Sequence, residues 1–107
     1  MKKQIDKQII DEIVSTGVVN WQKHALQRMM EREISRAEVK NSIFFGKIIE
    51  FYKDDRPYPS ALIAHINDEK SLHVVVAVDV ENRICYIITA YVPDGNYFEE
   101  DMITRRS

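Results

Sequence analysis

The first part of the chain carries apolar residues at the spacing of α-helices. Between residues 3 and 16, four isoleucines recur every three or four positions among charged residues, the pattern of a helix with one face in a core. They are Ile5, Ile9, Ile10 and Ile13. Gly17 follows as a helix-ending residue, so a first helix is predicted over residues 3–16.

A second helical pattern follows Asn20, whose side chain suits an N-cap. At about 100° per residue, its apolar side chains fall on one side of the helix and a group of polar side chains on the other. The apolar side holds Ala25, Leu26, Met29 and Met30, and the polar side holds His24, Arg28, Glu31 and Arg32. One helix therefore combines a core-facing back with a front that carries an imidazole, two guanidinium groups and a carboxylate.

A third helix is predicted to begin at Ser35. Ser35 and Glu38 have the spacing of a capping box, and Ile34 and Val39 stand at the two positions of a hydrophobic staple. This helix is expected to end at Gly46, in the left-handed conformation that often closes a helix.

Beyond the third helix the spacing changes to that of β-strands, with many β-branched and aromatic residues. Four strands are predicted, over residues 48–52, 61–66, 72–79 and 83–92. The connections 67–71 and 80–82 are short enough for hairpin turns, so the last three strands should form an antiparallel meander. The loop 53–59 contains two prolines that cannot donate to a ladder, and it is expected to stand off the sheet.

Alternation along the last two strands divides their side chains between two faces. The more apolar face is expected to hold Leu72, Val74, Val76, Val78, Ile84, Tyr86 and Ile88. The mixed face is expected to hold His73, Val75, Ala77, Asp79, Cys85, Ile87, Thr89 and Tyr91. The helices should cover the first face, which leaves His73, Thr89 and Tyr91 to line a groove.

These elements predict an α+β fold with N-terminal helices packed on one face of a four-stranded, mainly antiparallel sheet. A chain of 107 residues fits a single domain with one core. Its expected parts are an N-terminal helix and link (1–19), two helices (20–46), the sheet (47–92) and a C-terminal tail (93–107) whose path the pattern does not define.

Composition and charge narrow the class of protein. The contents of 45% hydrophobic and 30% charged residues are those of a folded globular chain. A formal net charge of -2 argues against a partner held by electrostatics alone, so a nucleic-acid role would need a local basic patch. The single cysteine, Cys85, is expected in the core, and the N-terminus lacks the apolar region of a signal peptide. We therefore expect a cytoplasmic protein.

Residue counts argue against several kinds of site. One cysteine and no His-x-x-x-His pair make a structural zinc site unexpected, and three scattered glycines exclude a glycine-rich phosphate loop. Neither Ser60 nor Ser71 lies in a nucleophile motif, and the expected burial of Cys85 makes it a poor nucleophile. No metal or cofactor is expected.

The chemistry that remains is metal-independent cleavage of a phosphodiester, in which a positioned acid and base act while arginines neutralise the phosphate. His24 is the first candidate, because Arg28 and Arg32 lie one and two turns away on the same helix face. The alternative is a salt-bridged surface of Arg28, Glu31 and Arg32 beside an uninvolved His24. Structural roles are favoured for His65 and His73 individually.

Other residues of suitable type for RNA are spread along the chain: Arg32, Arg56, His73, Tyr91 and the Arg105-Arg106 pair. Tyr58, Tyr91 and Tyr97 could stack unpaired bases, as single-stranded RNA recognition requires. Only their convergence in the fold would make them a site.

Several short motifs, taken in order, resemble those of a bacterial family. They are His24-Ala25 with Gln27-Arg28 and Glu31-Arg32, Ile34-Ser35, Val39, Gly46, Asp55-Arg56-Pro57-Tyr58-Pro59, Leu72-His73-Val74-Val75, Ile88-Thr89-Ala90-Tyr91-Val92-Pro93-Asp94 and Thr104-Arg105-Arg106. Over residues 20–106 the chain resembles small uncharacterised domains that are described beside a zinc-finger antitoxin of the YgiT type.

The resemblance implies a RelE-like toxin fold, within the broader group that includes barnase-like and colicin-like ribonucleases. It also implies the toxin half of a type II toxin–antitoxin pair, an endoribonuclease of the mRNA interferase type that cuts RNA without a metal and is neutralised by a zinc-finger, DNA-binding antitoxin.

The leading hypothesis is therefore a ribonuclease-type toxin domain. Its predicted catalytic residues are His24, Arg28, His73 and Tyr91, and its predicted substrate-binding residues are Arg32, Arg56, Tyr58 and Arg105. The rival hypothesis is a module without catalysis that docks a protein partner through the mixed sheet face or an exposed strand edge.

Overall fold

The computed structural model describes residues 5–67, 69–95 and 101–105 of the chain. Its elements are α1 (Lys7–Thr16), β1 (Val18–Trp21), α2 (Lys23–Glu31), α3 (Arg36–Phe45), β2 (Lys47–Tyr52), β3 (Ser60–His65), β4 (Leu72–Asp79) and β5 (Ile84–Tyr91). The predicted α+β class is confirmed. Tyr97 and Arg106, two of the candidates for RNA contacts, lie outside the described residues.

The helix starts follow local capping chemistry in two cases out of three. The Asp6 carboxylate accepts a hydrogen bond from the Ile9 amide at the start of α1, at 2.8 Å. The predicted capping box of α3 is confirmed, because Ser35 and Glu38 each accept from the other's amide at 3.0 Å. The predicted N-cap at Asn20 is wrong, since Asn20 belongs to β1 and α2 begins after Gln22 without a side-chain cap.

Gly46 ends α3 as predicted but not in the predicted conformation. Its φ of -86° is outside the left-handed region, so the expectation of a left-handed closing residue is wrong. A glycine is required at this position because there is no room for a side chain. A Cβ at this position would lie 2.4 Å from the Ser42 carbonyl oxygen and 2.7 Å from that of Ala64.

The sheet has five strands in the order β1-β5-β4-β3-β2, so the prediction of four strands is wrong in number. Strands β2 to β5 form antiparallel pairs, which confirms the meander. The additional strand, β1, pairs in parallel with β5 from Val18 opposite Ile84 to Trp21 opposite Ile87. A four-residue segment directly after a helix carries little alternation of its own, and its partner lies far along the chain.

Helices cover one face of the sheet and bury the core there. The core includes Ile10 and Ile13 of α1, Met29 of α2 and Ile43 of α3, packed with strand residues such as Ile63 and Val76. The opposite face, which we call the open face, carries the side chains of the alternate strand positions. None of the helices among the described residues has the length and apolarity needed to cross a membrane.

Bulges in the sheet change the predicted face assignment. The register of β5 against β4 shifts at Ile88, so Thr89 and Tyr91 lie on the same face as Ile84 and Tyr86. The placement of His73, Thr89 and Tyr91 on one face, away from the Val74 side, is confirmed.

The same register makes the predicted faces of Ile84, Tyr86, Cys85 and Ile87 wrong, and Ile88, predicted on the helix-covered face, is the bulge residue and is 42% exposed. Ile84 and Tyr86 lie on the open face, whereas Cys85 and Ile87 lie in the core with no exposed surface. The predicted unbroken alternation across Ile88 is the cause of the error. The expectation that Cys85 is buried is confirmed, and burial raises the pKa of its thiol to about 12.

Candidate functional site

The open face carries a group of titratable side chains centred on His73. We call it the His73 cluster and define it as Glu50 and Tyr52 of β2, His73 of β4, Tyr91 of β5, and Arg105. Three strands supply it because directly opposed residues point to the same face, and His73 stands opposite Tyr91. Arg105 joins it from the C-terminal segment 101–105.

His73 is held between two polar groups. Its residue has no exposed surface, its Nδ1 lies 3.3 Å from the Tyr91 hydroxyl, and its Nε2 lies 2.6 Å from the Met102 carbonyl oxygen. A carbonyl oxygen only accepts, so Nε2 carries a proton and donates it to Met102. In the neutral imidazole, Nδ1 then accepts from the Tyr91 hydroxyl.

Burial keeps both members of this pair uncharged near neutral pH. Desolvation lowers the pKa of His73, against the opposing effects of the Met102 carbonyl and the Glu50 charge. Desolvation likewise raises the pKa of the Tyr91 hydroxyl. A neutral phenol therefore donates to a neutral imidazole, an arrangement in which a proton can pass from Tyr91 to His73.

The C-terminal segment is attached to the open face by Arg105. The Arg105 guanidinium donates to the Glu50 carboxylate, with an Nη2 to Oε1 distance of 3.0 Å, and the Tyr52 hydroxyl donates to the same carboxylate. The hydrogen bond from Arg105 is the main cause that lowers the pKa of Glu50. A fixed carboxylate and guanidinium thus stand beside the His73 and Tyr91 pair.

A second guanidinium reaches the sheet from the end of α2. Arg32 Nη1 donates to the Ala90 carbonyl oxygen at 2.8 Å and lies 3.4 Å from the Thr89 hydroxyl. That carbonyl belongs to the part of β5 beyond Ile87, where the pairing with β1 has ended. The Arg32 charge acts on Tyr91 by lowering the pKa of its hydroxyl, against the larger effect of burial.

The structure does not bring His24 and Arg28 to this group. Both are exposed on α2, and Arg28 forms an ion pair with Glu31 at 3.3 Å in which both side chains are more than half exposed. Within residues 5–67, 69–95 and 101–105, no hydrogen bond, ion pair or ring contact joins His24 or Arg28 to the His73 cluster. Their catalytic roles stay predictions.

The remaining predicted substrate-binding residues lie at the other end of the open face. Tyr58, on the loop 53–59, stacks on Tyr86 of β5 with 5.5 Å between ring centroids and 9° between ring planes. The prediction that the loop stands off the sheet is wrong, because Tyr58 stacks on a ring of β5 and the Pro59 carbonyl accepts a hydrogen bond from Val78 of β4. Arg56 is exposed on the same loop.

Glu50 and Tyr52 were not predicted as site residues. Their spacing of two along β2 places both on one face, but the register shift between Ile48 and Glu50 hides which face that is. The sequence did contain a signal for these two site residues, namely a carboxylate two positions before a tyrosine in an otherwise apolar strand. Across the described residues, no three His, Cys, Asp or Glu side chains converge on a point that could hold a metal ion.

Comparison with known proteins gives one match. The model of a family described as a domain of unknown function, DUF4258, matches residues 21–92, from β1 to just beyond β5. The matched region contains His73, Tyr91, Arg32 and Glu50, whereas Arg105 lies beyond it. No curated protein and no solved structure matches the chain.

Proposed function

Because the chain belongs to this family of domains of unknown function, its activity has to be argued from its own site, and we propose that it is a metal-independent endoribonuclease. The observation that carries the proposal is the hydrogen bond between buried His73 and half-buried Tyr91, with the Arg32 and Arg105 charges beside the Tyr91 hydroxyl. The substrate class is single-stranded RNA.

Tyr91 is the group proposed to meet the substrate, since it keeps part of its surface exposed whereas His73 keeps none. Its hydroxyl oxygen takes the proton of the ribose 2′-hydroxyl while its own proton passes to Nδ1 of His73. The 2′-oxygen forms a bond to phosphorus, and the bond from phosphorus to the 5′-oxygen breaks. The 5′-oxygen leaves with a proton from water, and the imidazolium returns its proton through Tyr91 to the hydroxide that remains, so the products are a 5′-hydroxyl and a 2′,3′-cyclic phosphate end.

Two contacts offset part of the cost of forming a buried imidazolium, which desolvation and the Arg105 charge oppose. Once Nδ1 is protonated, Nε2 still donates to the Met102 carbonyl, and the Glu50 carboxylate attracts the positive charge. Arg32 uses only Nη1 in its contacts with described residues, so its other N–H groups are available to a phosphate oxygen. Arg105 contributes a second positive charge beside Tyr91.

RNA cleavage by purified variants tests the proposal. Wild type, incubated with unstructured oligoribonucleotides in EDTA, is expected to leave 2′,3′-cyclic phosphate ends. Tyr91→Phe removes the hydroxyl that accepts the proton and should lower the rate by about 10² to 10⁴-fold. His65→Gln is the control, because it removes an imidazole from the face of β3 opposite the His73 cluster, and it should keep the wild-type rate.

The His24→Ala variant decides between the sheet and the helix. If His24→Ala cleaves RNA at the wild-type rate, the result supports catalysis by Tyr91 and His73. If its rate falls as far as that of Tyr91→Phe, the result supports catalysis on the polar face of α2 instead. No cleavage by the wild type under any of these conditions would remove the ribonuclease proposal altogether.

The biological setting follows from the family resemblance of the motifs. We propose a RelE-like fold and the toxin half of a type II pair, with a zinc-finger, DNA-binding antitoxin as partner. Expression of the chain alone should arrest bacterial growth, co-expression of the neighbouring antitoxin should restore it, and Tyr91→Phe should be harmless. Growth arrest that is unchanged in Tyr91→Phe would separate toxicity from the proposed site.

A module without catalysis is the second candidate, and one observation favours it. Strand β2 is an edge of the sheet, and Phe45 and Phe51 beside it are 74% and 41% exposed. Edge strands with apolar neighbours accept a strand from a partner protein. Protection of β2 amides from hydrogen exchange in a complex with the antitoxin, without any RNA cleavage by the free chain, would establish this candidate instead.

A further inference from the structure

The open face presents a second group of residues about four strand positions from His73. Tyr86 stands opposite Ala77, and Ala77 is four residues from His73 along β4, which corresponds to about 13 Å of strand. Tyr58 lies stacked on Tyr86, with 9° between their ring planes. We define these two rings as the tyrosine platform.

The loop that carries Tyr58 is anchored on both sides of the ring. The Val78 amide donates to the Pro59 carbonyl oxygen at 3.0 Å, directly after Tyr58, and the Ser60 hydroxyl donates to the Asp55 carboxylate that precedes it. Asp79, a buried residue, faces the Tyr58 hydroxyl and raises its pKa. The orientation of the ring is therefore fixed before any ligand arrives.

The stacking uses one face of the Tyr58 ring. Tyr86 covers that face, and the Tyr58 residue as a whole keeps part of its surface exposed. Arg56, two residues earlier, is exposed and has no ion pair within the described part of the chain. A flat, fixed aromatic surface beside an exposed guanidinium suits a nucleobase and its phosphate.

The track between the platform and the His73 cluster is lined by small side chains. Val75 and Thr89 lie between the two on the open face, Ala77 stands opposite Tyr86, and all three keep part of their surface exposed. Arg32 reaches this track at Thr89. The face thus offers, in line along β5, a stacking surface, a guanidinium group and the Tyr91 hydroxyl.

We propose that the tyrosine platform binds one unpaired base of the RNA substrate, at a fixed distance along the strand from the phosphodiester held at Tyr91. This inference rests on the proposed function, and it adds a position at which the enzyme recognises a base by stacking. Because every base has an aromatic face, the platform fixes the register of the strand with little preference for sequence.

Fluorescence of 2-aminopurine tests the platform directly. Full-length protein is titrated into 2′-O-methyl oligoribonucleotides, which cannot be cleaved at the 2′-hydroxyl, with 2-aminopurine at each position in turn. Stacking on Tyr58 should quench the probe at one position. Tyr58→Leu should abolish that quenching and weaken binding by about 5- to 150-fold, the range that corresponds to loss of one base–aromatic stack.

Tyr58→Phe is the matched variant, since it keeps the ring and removes the hydroxyl that faces Asp79. It should retain the quenching and most of the affinity. If the effect of Tyr58→Leu came from loss of the hydroxyl, Tyr58→Phe would lose both as well. With cleavable RNA, Tyr58→Leu should raise KM and leave kcat near the wild-type value. Thermal unfolding of each variant checks that the fold is kept.

The outcomes separate the platform from the catalytic proposal. Equal affinity and equal quenching in wild type and Tyr58→Leu, or no binding of the oligonucleotides at all, overturns the platform. Quenching that depends on Tyr58, in a protein that cleaves no RNA, supports the platform as a binding site and overturns the proposed catalysis. RNA cleavage at the same rate and with the same KM in wild type and Tyr58→Leu supports the proposed catalysis and overturns the platform.

Discussion

Replacing His73 by Gln should change how the stability of the protein depends on pH. His73 is buried in its neutral form, with Nε2 donating to Met102 and Nδ1 accepting from Tyr91. Glutamine keeps an amide donor and an acceptor but cannot be protonated in this range. The variant therefore removes one titrating group from the core while it retains hydrogen-bonding capacity.

The sign follows from the pKa of His73, which burial lowers in the folded state. An unfolded chain binds this proton near pH 6.5, whereas the folded protein binds it only at lower pH. Between those two values the unfolded state holds more protons, so the free energy of unfolding rises with pH. The stabilisation is fully present above about pH 6.5 and is lost as the pH falls toward the folded-state pKa.

The magnitude is set by one proton. A single group with different pKa values in the two states changes the free energy of unfolding by at most about 1.4 kcal/mol per pH unit within this window. The charges facing His73 do not add to the slope there, because Arg105 stays cationic and lowers the pKa of Glu50, which stays ionised. At pH 8 the substitution itself should cost about 1 to 3 kcal/mol, through imperfect pairing of Tyr91 and Met102.

Urea unfolding at a series of pH values between about 5.5 and 8 measures the effect. The difference between wild type and His73→Gln should shrink as the pH falls, because only the wild type loses the stabilisation of a neutral, buried histidine. Gln27→Ala, which replaces an exposed side chain of α2 that does not titrate, is the control and should keep the wild-type slope. A constant difference between wild type and His73→Gln across this range would show that His73 is not buried in the neutral form.

Three further predictions concern the fold. Gly46→Ala should lower the free energy of unfolding by about 1 to 3 kcal/mol in urea titrations, because its Cβ would lie 2.4 Å from a backbone oxygen. Asn41→Ala, at an exposed position of α3, is the control and should change the free energy of unfolding little. Ser35→Ala removes the cap of α3 and should lower the free energy of unfolding by about 1 kcal/mol in the same assay. Ser15→Ala, at an exposed position, is the control, and the same free energy of unfolding in both variants would contradict a role for the cap. The Cys85 thiol, buried and with its pKa raised to about 12, should react with a thiol reagent at pH 8 only after unfolding, and fast labelling of the native protein would contradict its burial.

Local signals were sufficient to predict most of the helices and strands. The capping box of α3 depends on two residues three positions apart, and the alternation of β4 depends on neighbours in one strand, so both can be read without knowing the fold. The same alternation placed His73 correctly relative to the core. Alternation failed to assign the faces of β5 because of the bulge at Ile88, where one additional residue reverses every face assignment on one side of it.

Strand β1 and the C-terminal part of the site depend on contacts between distant segments. Val18–Trp21 is a strand because β5 lies beside it, and four residues contain too little pattern to indicate this alone. Arg105 was a candidate by residue type, but its position beside Glu50 depends on the contact of segment 101–105 with the open face. Residues 93–107 show no periodicity from which this contact could be predicted.

The polar face of α2 illustrates why residue type and helical spacing did not define the site. His24, Arg28 and Arg32 share one arc of the helix, yet only Arg32 contacts the sheet among the described residues. Arg32 is the C-cap residue of α2, where the helix ends beside β5. Its partner, the Ala90 carbonyl, is available because the pairing of β1 with β5 stops at Ile87. The length of one short parallel strand therefore leaves the Ala90 carbonyl available to hold the Arg32 guanidinium near Tyr91, and that length is a property of the assembled sheet rather than of the helix that carries Arg32.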